Sequence, residues 1–266
     1  MRLSNLHTHT TFSDGVSSPR ETAQSAVKKG FASLGFSDHS EDLFDPSFHP
    51  SPGKDLPYRT AIEELKREYE GTLPIFCGIE KDYYTREDLS PYDFVIGSVH
   101  YLAWEGEYIP LDVTENIQRD WIWKHGRGDR NELARRYYDL VAANAATGNF
   151  QIQGHFDLIN KFGLFDENDE VYQKIALEAL DEVLKRIPYI EINTGAVARG
   201  YRKVPYPDAL FLRYIREKDG KMVISSDAHS SDTLDFYFPE SRSLLKESGF
   251  SSCWQLEKGA FQEVDL

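Results

Sequence analysis

The chain has 266 residues, 40% of them hydrophobic, with 30 basic and 44 acidic side chains giving a formal charge of −14. Such an acidic surface repels a phosphate backbone, which argues against a nucleic-acid partner. No apolar run approaches the roughly 18 residues of a membrane span, and Met1-Arg2-Leu3-Ser4-Asn5-Leu6 has no apolar h-region, so neither membrane nor secretion is expected. The two cysteines, Cys77 and Cys253, suit a reducing cytoplasm better than a disulfide. No linker, low-complexity block or repeat divides residues 1–266, which are expected to form one domain.

Strand and helix signals alternate from the start. A strand over 3–7 ends in His7-Thr8-His9. Ser18-Pro19-Arg20-Glu21 is a capping box with proline at the first helical position, and its helix runs to Gly30. Strands are predicted at 33–37, ending in His39, and at 74–79, ending in Glu80, with a helix through Ile62, Leu65 and Tyr69 between them. A fourth, at 94–99, ends in His100. Residues 101–128 carry Trp104, Trp121 and Trp123 without a clean period. They are expected to be an irregular excursion packed on the barrel or a lid over its mouth. Asp129 caps a helix through Leu133, Tyr137 and Val141 that stops at Gly148. Strands at 150–154, 189–193 and 222–226 follow, ending in His155, in Asn193-Thr194 and in Asp227-Ala228-His229. Helices lie between them, through Val171–Leu184 and from Pro207 to Gly220, and another is expected near Glu240–Glu247.

Seven strands alternating with helices predict right-handed βαβ units and a parallel sheet. Ligand-type residues at six strand ends favour closure into a barrel, because an open sheet gathers its ligands at one switch point. Six of the eight histidines lie at these ends. His7 and His9 face one way, since extended side chains alternate with a period of two, and Asp227-Ala228-His229 repeats the arrangement. A convergent set of nitrogen and oxygen donors describes a metal site, and eight candidates at strand ends are too many for one four-coordinate ion. His49 and His125, in irregular segments, are expected to be solvent-exposed.

The pattern His7-Thr8-His9, Ser13-Asp14-Gly15, Asp38-His39, Gly78-Ile79-Glu80, Gly97-Ser98-Val99-His100, Gly154-His155-Phe156-Asp157 and Ser226-Asp227-Ala228-His229 resembles the PHP (polymerase and histidinol phosphatase) superfamily. Tyr92–His100, Asp157–Gly163 and Glu191–Gly195 are similar to its histidinol-phosphate phosphatase branch. The resemblance implies a distorted (β/α)7 barrel, with the metal site at the C-terminal ends of its strands. It implies two to three divalent transition metals (Zn, Mn or Fe). His7, His9, Glu80 and Asp227 would hold the first metal. Glu80, His100 and His155 would hold the second, and His39 and His229 the third. Many relatives complete that third site with a histidine where this chain has Asp14, a carboxylate able to replace it. The implied activity is hydrolysis of L-histidinol phosphate to L-histidinol and phosphate, in histidine biosynthesis, by a hydroxide bridging two metals. The alternatives are another small phosphate ester or a nucleotide as substrate, and a metal-binding module without catalysis.

Charge supports a phosphate ester. Three divalent ions against Asp14, Glu80 and Asp227 leave three positive charges, matched by a phosphate dianion and a hydroxide. Arg199, Lys161 and Arg202 follow strand ends and are the candidates for gripping phosphate, with Glu80, Asp227 and Arg199 expected to carry the catalysis.

Overall fold

The computed structural model describes residues 3–41, 44–45 and 55–266. Along the chain, β1 (Leu3–Asn5), α1 (Pro19–Lys29), β2 (Phe31–Phe36), α2 (Asp55–Glu68), β3 (Ile75–Asp82) and β4 (Phe94–Ser98) come first. A hairpin of β5 (Tyr101–Trp104) and β6 (Glu107–Pro110) precedes α3 (Glu115–Lys124), α4 (Arg130–Thr147) and β7 (Ile152–Gln153). Then come α5 (Glu170–Leu184), β8 (Tyr189–Asn193), α6 (Gly195–Ala198), α7 (Ala209–Glu217) and β9 (Lys221–Ser225). The described chain ends with α8 (Phe238–Glu247), β10 (Ser252–Glu257) and β11 (Ala260–Asp265).

Seven strands form one sheet in the order β1-β2-β3-β4-β7-β8-β9, every pairing parallel. Its two edges meet just beyond the strand ends. Ala228 N–H donates to His7 O at 3.2 Å and His9 N–H to Ala228 O at 2.8 Å. The sheet is therefore a nearly closed, distorted (β/α)7 barrel.

Side-chain alternation divides the barrel into a dry floor and a polar mouth. Phe76, Gly78 and Glu80 face inward along β3, as do Phe94, Ile96 and Ser98 along β4. Leu6, Phe76, Phe94, Ile96, Ile152 and Val223 make the buried floor, joined by Leu256 of the β10–β11 hairpin. The Phe94 ring fills the space that a side chain at position 35 would need, since a Cβ on Gly35 would lie 2.7 Å from it. Outside the barrel, α4 and α5 bury Leu133, Tyr137, Val141, Tyr172, Ile175 and Leu180 against the sheet.

Local signals hold at the helix ends. Glu21 N–H donates to Ser18 Oγ at 3.3 Å while the Glu21 carboxylate accepts from Ser18 N–H at 2.8 Å. Asp129 accepts from Asn131 N–H at 2.9 Å, and Gly148 ends α4 in the left-handed conformation. Two expectations are corrected and one element is added. Residues 101–128 are not irregular: they hold the β5–β6 hairpin and α3, with Trp121 buried, Trp104 packed edge-on against it and Trp123 exposed. Beyond the last predicted helix the chain adds an antiparallel β10–β11 hairpin. The helix opening at Pro207 instead begins at Ala209, with Asp208 as the N-cap whose carbonyl accepts from Leu212 N–H at 3.1 Å.

Candidate metal centre

Glu80 is the hub of the mouth. One carboxylate oxygen, Oε2, lies 3.2 Å from His7 Nε2, 3.4 Å from His9 Nε2 and 3.1 Å from His39 Nδ1. The other, Oε1, lies 2.9 Å from His155 Nε2 and 3.4 Å from His100 Nε2, and accepts from Ser98 Oγ at 2.6 Å. Asp227 Oδ1 adds a contact to His9 Nε2 at 3.3 Å and stands 3.8 Å from His7 Nε2. Asp14 reaches His229 Nε2 at 3.0 Å, His9 Nδ1 at 3.5 Å and His39 Nε2 at 3.7 Å. Asp14 can turn inward because Gly15 passes close to the backbone, where a Cβ would fall 2.6 Å from the His9 carbonyl. All nine candidate ligands thus converge. His39 is central, joining His9, Asp14 and His229 in one group and Glu80 and His100 in another, each with ligand atoms within 4.8 Å of one another; His7, His9 and Glu80 form a third.

The donor set fits divalent cations. His7 Nε2 and both ring nitrogens of His9 are buried and have no hydrogen-bond partner among the described residues, while carboxylate oxygens stand opposite them. Burial pushes the His9 imidazole down to about 3, assisted by His229 and His39, so it is neutral and offers the lone pair of one ring nitrogen. Burial would raise the Glu80 carboxyl, but His7, His100 and His39 together hold it well below the usual range. Asp227 is likewise held ionised against its burial, first by Arg199 and then by His7.

A second ring of side chains aims the first. Glu191 accepts from His155 N–H at 2.7 Å and from Asn193 Nδ2 at 2.8 Å, and its Oε2 lies 2.9 Å from His7 Nδ1. Asp82 accepts from His100 N–H at 2.8 Å and stands 3.4 Å from His100 Nδ1. Asp38 accepts from Thr10 N–H, Thr10 Oγ1 and Ser13 Oγ, which fastens the loop carrying Asp14. Sequence reasoning missed these three acids as site residues. Glu191 was the most visible, as a charge on the inward face of the apolar run Tyr189-Ile190-Glu191-Ile192.

Around this centre lies a cavity of about 340 Å³, within the usual range for small-ligand sites. Arg199 and Lys161 line it, with Tyr101, Asp112 and Val113 from the segment over 101–128. Arg199 Nη2 donates to Asp227 Oδ2 at 3.0 Å, and its Nη1 stands 3.0 Å from His229 Nδ1. Lys161 Nζ donates to Asp112 O at 2.6 Å. Arg202 is not among the described cavity-lining residues, which corrects its expected place beside substrate. It is buried between Asp157, at 3.2 Å, and Asp208, and stacks over Tyr206. His125 is half-buried rather than exposed and pairs with Trp104 Nε1 at 3.0 Å; His49 lies outside the described residues. Cys77 and Cys253 are buried free thiols, and burial raises Cys77 to about 12.

A seven-stranded parallel barrel with a histidine–carboxylate centre at its mouth defines a metal-binding hydrolase-type scaffold. The family model described as "PHP domain" matches residues 5–195, and the chain belongs to that family. Among its relatives, a probable histidinol-phosphatase of Deinococcus radiodurans is 32% identical, the alignment covering 93% of this chain and 94% of the relative. A histidinol-phosphatase of Bacillus subtilis is 28% identical, over 87% and 95% of the two chains. The fold is shared with the histidinol phosphate phosphatase of Lactococcus lactis, solved with zinc, L-histidinol and phosphate. That likeness has a TM-score of 0.70 at 21% identity and covers 97% of this chain and 98% of that one.

Proposed function

We propose that this chain is a metal-dependent phosphomonoesterase that hydrolyses L-histidinol phosphate to L-histidinol and phosphate, a step of histidine biosynthesis carried out in the cytoplasm. One observation carries the chemistry. Seven of the nine histidine and carboxylate candidates and two cations, Arg199 and Lys161, line one cavity of small-molecule size, with His7 and His9 buried behind it against Glu80. The full-length relatives named above supply the substrate. In this reading His7, His9, Glu80 and Asp227 hold one divalent ion, Glu80, His100 and His155 a second, and His39, His229 and Asp14 a third. Such ions supply Lewis-acid polarisation of a phosphoryl oxygen and lower the pKa of water enough to make it a nucleophile at neutral pH.

The chain's own residues do the rest. Arg199 is held by Asp227 with part of its guanidinium facing the cavity, placed to take phosphate oxygens as negative charge builds on them. Lys161 adds a second positive charge to the cavity lining, as a point charge. Glu191 and Asp82 fix the ring orientations of His7 and His100, so that the Nε2 atom of each faces Glu80. Beyond Asp14, Glu80 and Asp227, the further acid lining the cavity is Asp112, and Lys161 offsets it. A strongly acidic chain with a small cavity suits a free phosphate ester better than a nucleic-acid strand. The test is kcat/KM for the metal-reconstituted protein over a panel of phosphate monoesters. L-histidinol phosphate should exceed the others by an order of magnitude or more. A flat profile, or a preference for nucleotides, would refute this assignment.

A further inference from the structure

The acids of the cavity divide into two kinds. Asp14, Glu80 and Asp227 each contact histidines of the metal centre. Asp112 belongs to none of the ligand groups and comes from the segment between β6 and α3, beside Val113 in the cavity lining. Its side chain is 27% exposed. Lys161 Nζ is held mainly by the main-chain oxygen of Asp112, at 2.6 Å, and stands 3.3 Å from its Oδ2. An ionised carboxylate has about four acceptor positions, so this longer contact leaves most of them available to a bound molecule.

We propose that Asp112 is the acceptor for a substrate ammonium group, making this cavity selective for phosphate esters whose neighbouring carbon bears an amine. The inference rests on the phosphatase reading above. In L-histidinol phosphate the phosphate ester and the ammonium are on adjacent carbons, so the groups that recognise them must also be neighbours. Lys161 and Asp112 are such a pair, one cation and one anion in contact on the cavity wall. A bound amino-alcohol phosphate would exchange that internal contact for two of opposite sense, phosphate to Lys161 and ammonium to Asp112. An ester without the amine would leave the carboxylate facing a desolvated apolar group, which is the strong form of discrimination between substrates.

The experiment compares kcat/KM for L-histidinol phosphate and for its desamino analogue, 3-(imidazol-4-yl)propyl phosphate. Wild type, Asp112→Asn and Asp112→Glu are measured, with metal content and thermal midpoint recorded for each. Wild type should prefer the amine by roughly 10- to 100-fold, the effect of losing one charge-assisted hydrogen bond. That preference should collapse toward one in Asp112→Asn and partly return in Asp112→Glu. Parallel losses on both esters in Asp112→Asn, with the preference kept, would overturn the proposal and make Asp112 a support for Lys161. A wild type that hydrolyses both esters equally would overturn the subsite while leaving the phosphatase reading intact. A wild type that hydrolyses neither would overturn the phosphatase reading and the subsite with it.

Discussion

Glu191 Oε2 and His7 Nδ1 stand 2.9 Å apart across the barrel interior, both fully buried, one on β8 and the other just past β1. Burial opposes charge on either group, yet the pair is stable as an ion pair or a strong hydrogen bond. Burial would lower His7, but Glu191, Glu80 and Asp227 raise it well above its ordinary value, and Glu191 is correspondingly lowered by His7 against its own burial. A proton held on Nδ1 leaves Nε2 as the nitrogen that faces Glu80 and Asp227.

Glu191→Gln should therefore weaken metal binding by about 10- to 100-fold, the usual effect of losing a partner of this kind. Competition with a chromogenic zinc chelator measures it. Wild-type affinity in the variant would show that His7 is oriented by its backbone alone.

Elemental analysis of protein purified without chelator should find more than one transition-metal equivalent per chain, since the nine convergent candidate ligands exceed the needs of one ion. Exhaustive chelation should abolish phosphatase activity, and re-addition of metal should restore it. Full activity in a metal-free preparation would rule out the metal-dependent mechanism.

Glu80 and Asp14 should differ sharply. Glu80 faces five histidines through its two oxygens, whereas Asp14 meets only His9, His39 and His229. Glu80→Gln is expected to cost at least tenfold more in kcat than Asp14→Asn, and to lower metal stoichiometry further. Equal losses would move the centre of the site away from Glu80.

Arg199→Ala should retain metal while lowering kcat/KM by roughly 10²-fold, on the order of one charge-assisted contact to the transition state. Arg199→Lys should recover only part of that, because a point charge lacks the guanidinium fork. Loss of metal from the alanine variant would instead assign Arg199 to holding Asp227 in place.

Arg202 offers the contrasting case. Its guanidinium is buried between Asp157 and Asp208, so Arg202→Ala leaves two carboxylates without their cation. Stability should fall by about 3–5 kcal/mol, read from chemical denaturation. Whatever fraction stays folded at low temperature should keep KM within about threefold of wild type. A large rise in KM with stability intact would return Arg202 to the substrate site.

The sequence by itself determined the alternation of strands and helices and the strand ends on which the histidines fall. Both depend on short-range rules: period-two patterning, caps such as Ser18 and Asp129, and stops such as Gly30 and Gly148. Tertiary structure decided the rest. Glu191 and Asp82 read as ordinary strand acids until barrel closure turns their inward faces toward His7 and His100. Lys161 and Arg202 look equivalent as cations after strand ends, yet one borders the cavity and the other is buried in an ion cluster, because Asp157 and Asp208 come together only in the fold. Asp112 reaches the cavity wall because the β5–β6 hairpin carries it there. Contacts between residues distant in sequence leave no local periodic trace, so only the closed barrel could assign these side chains their places.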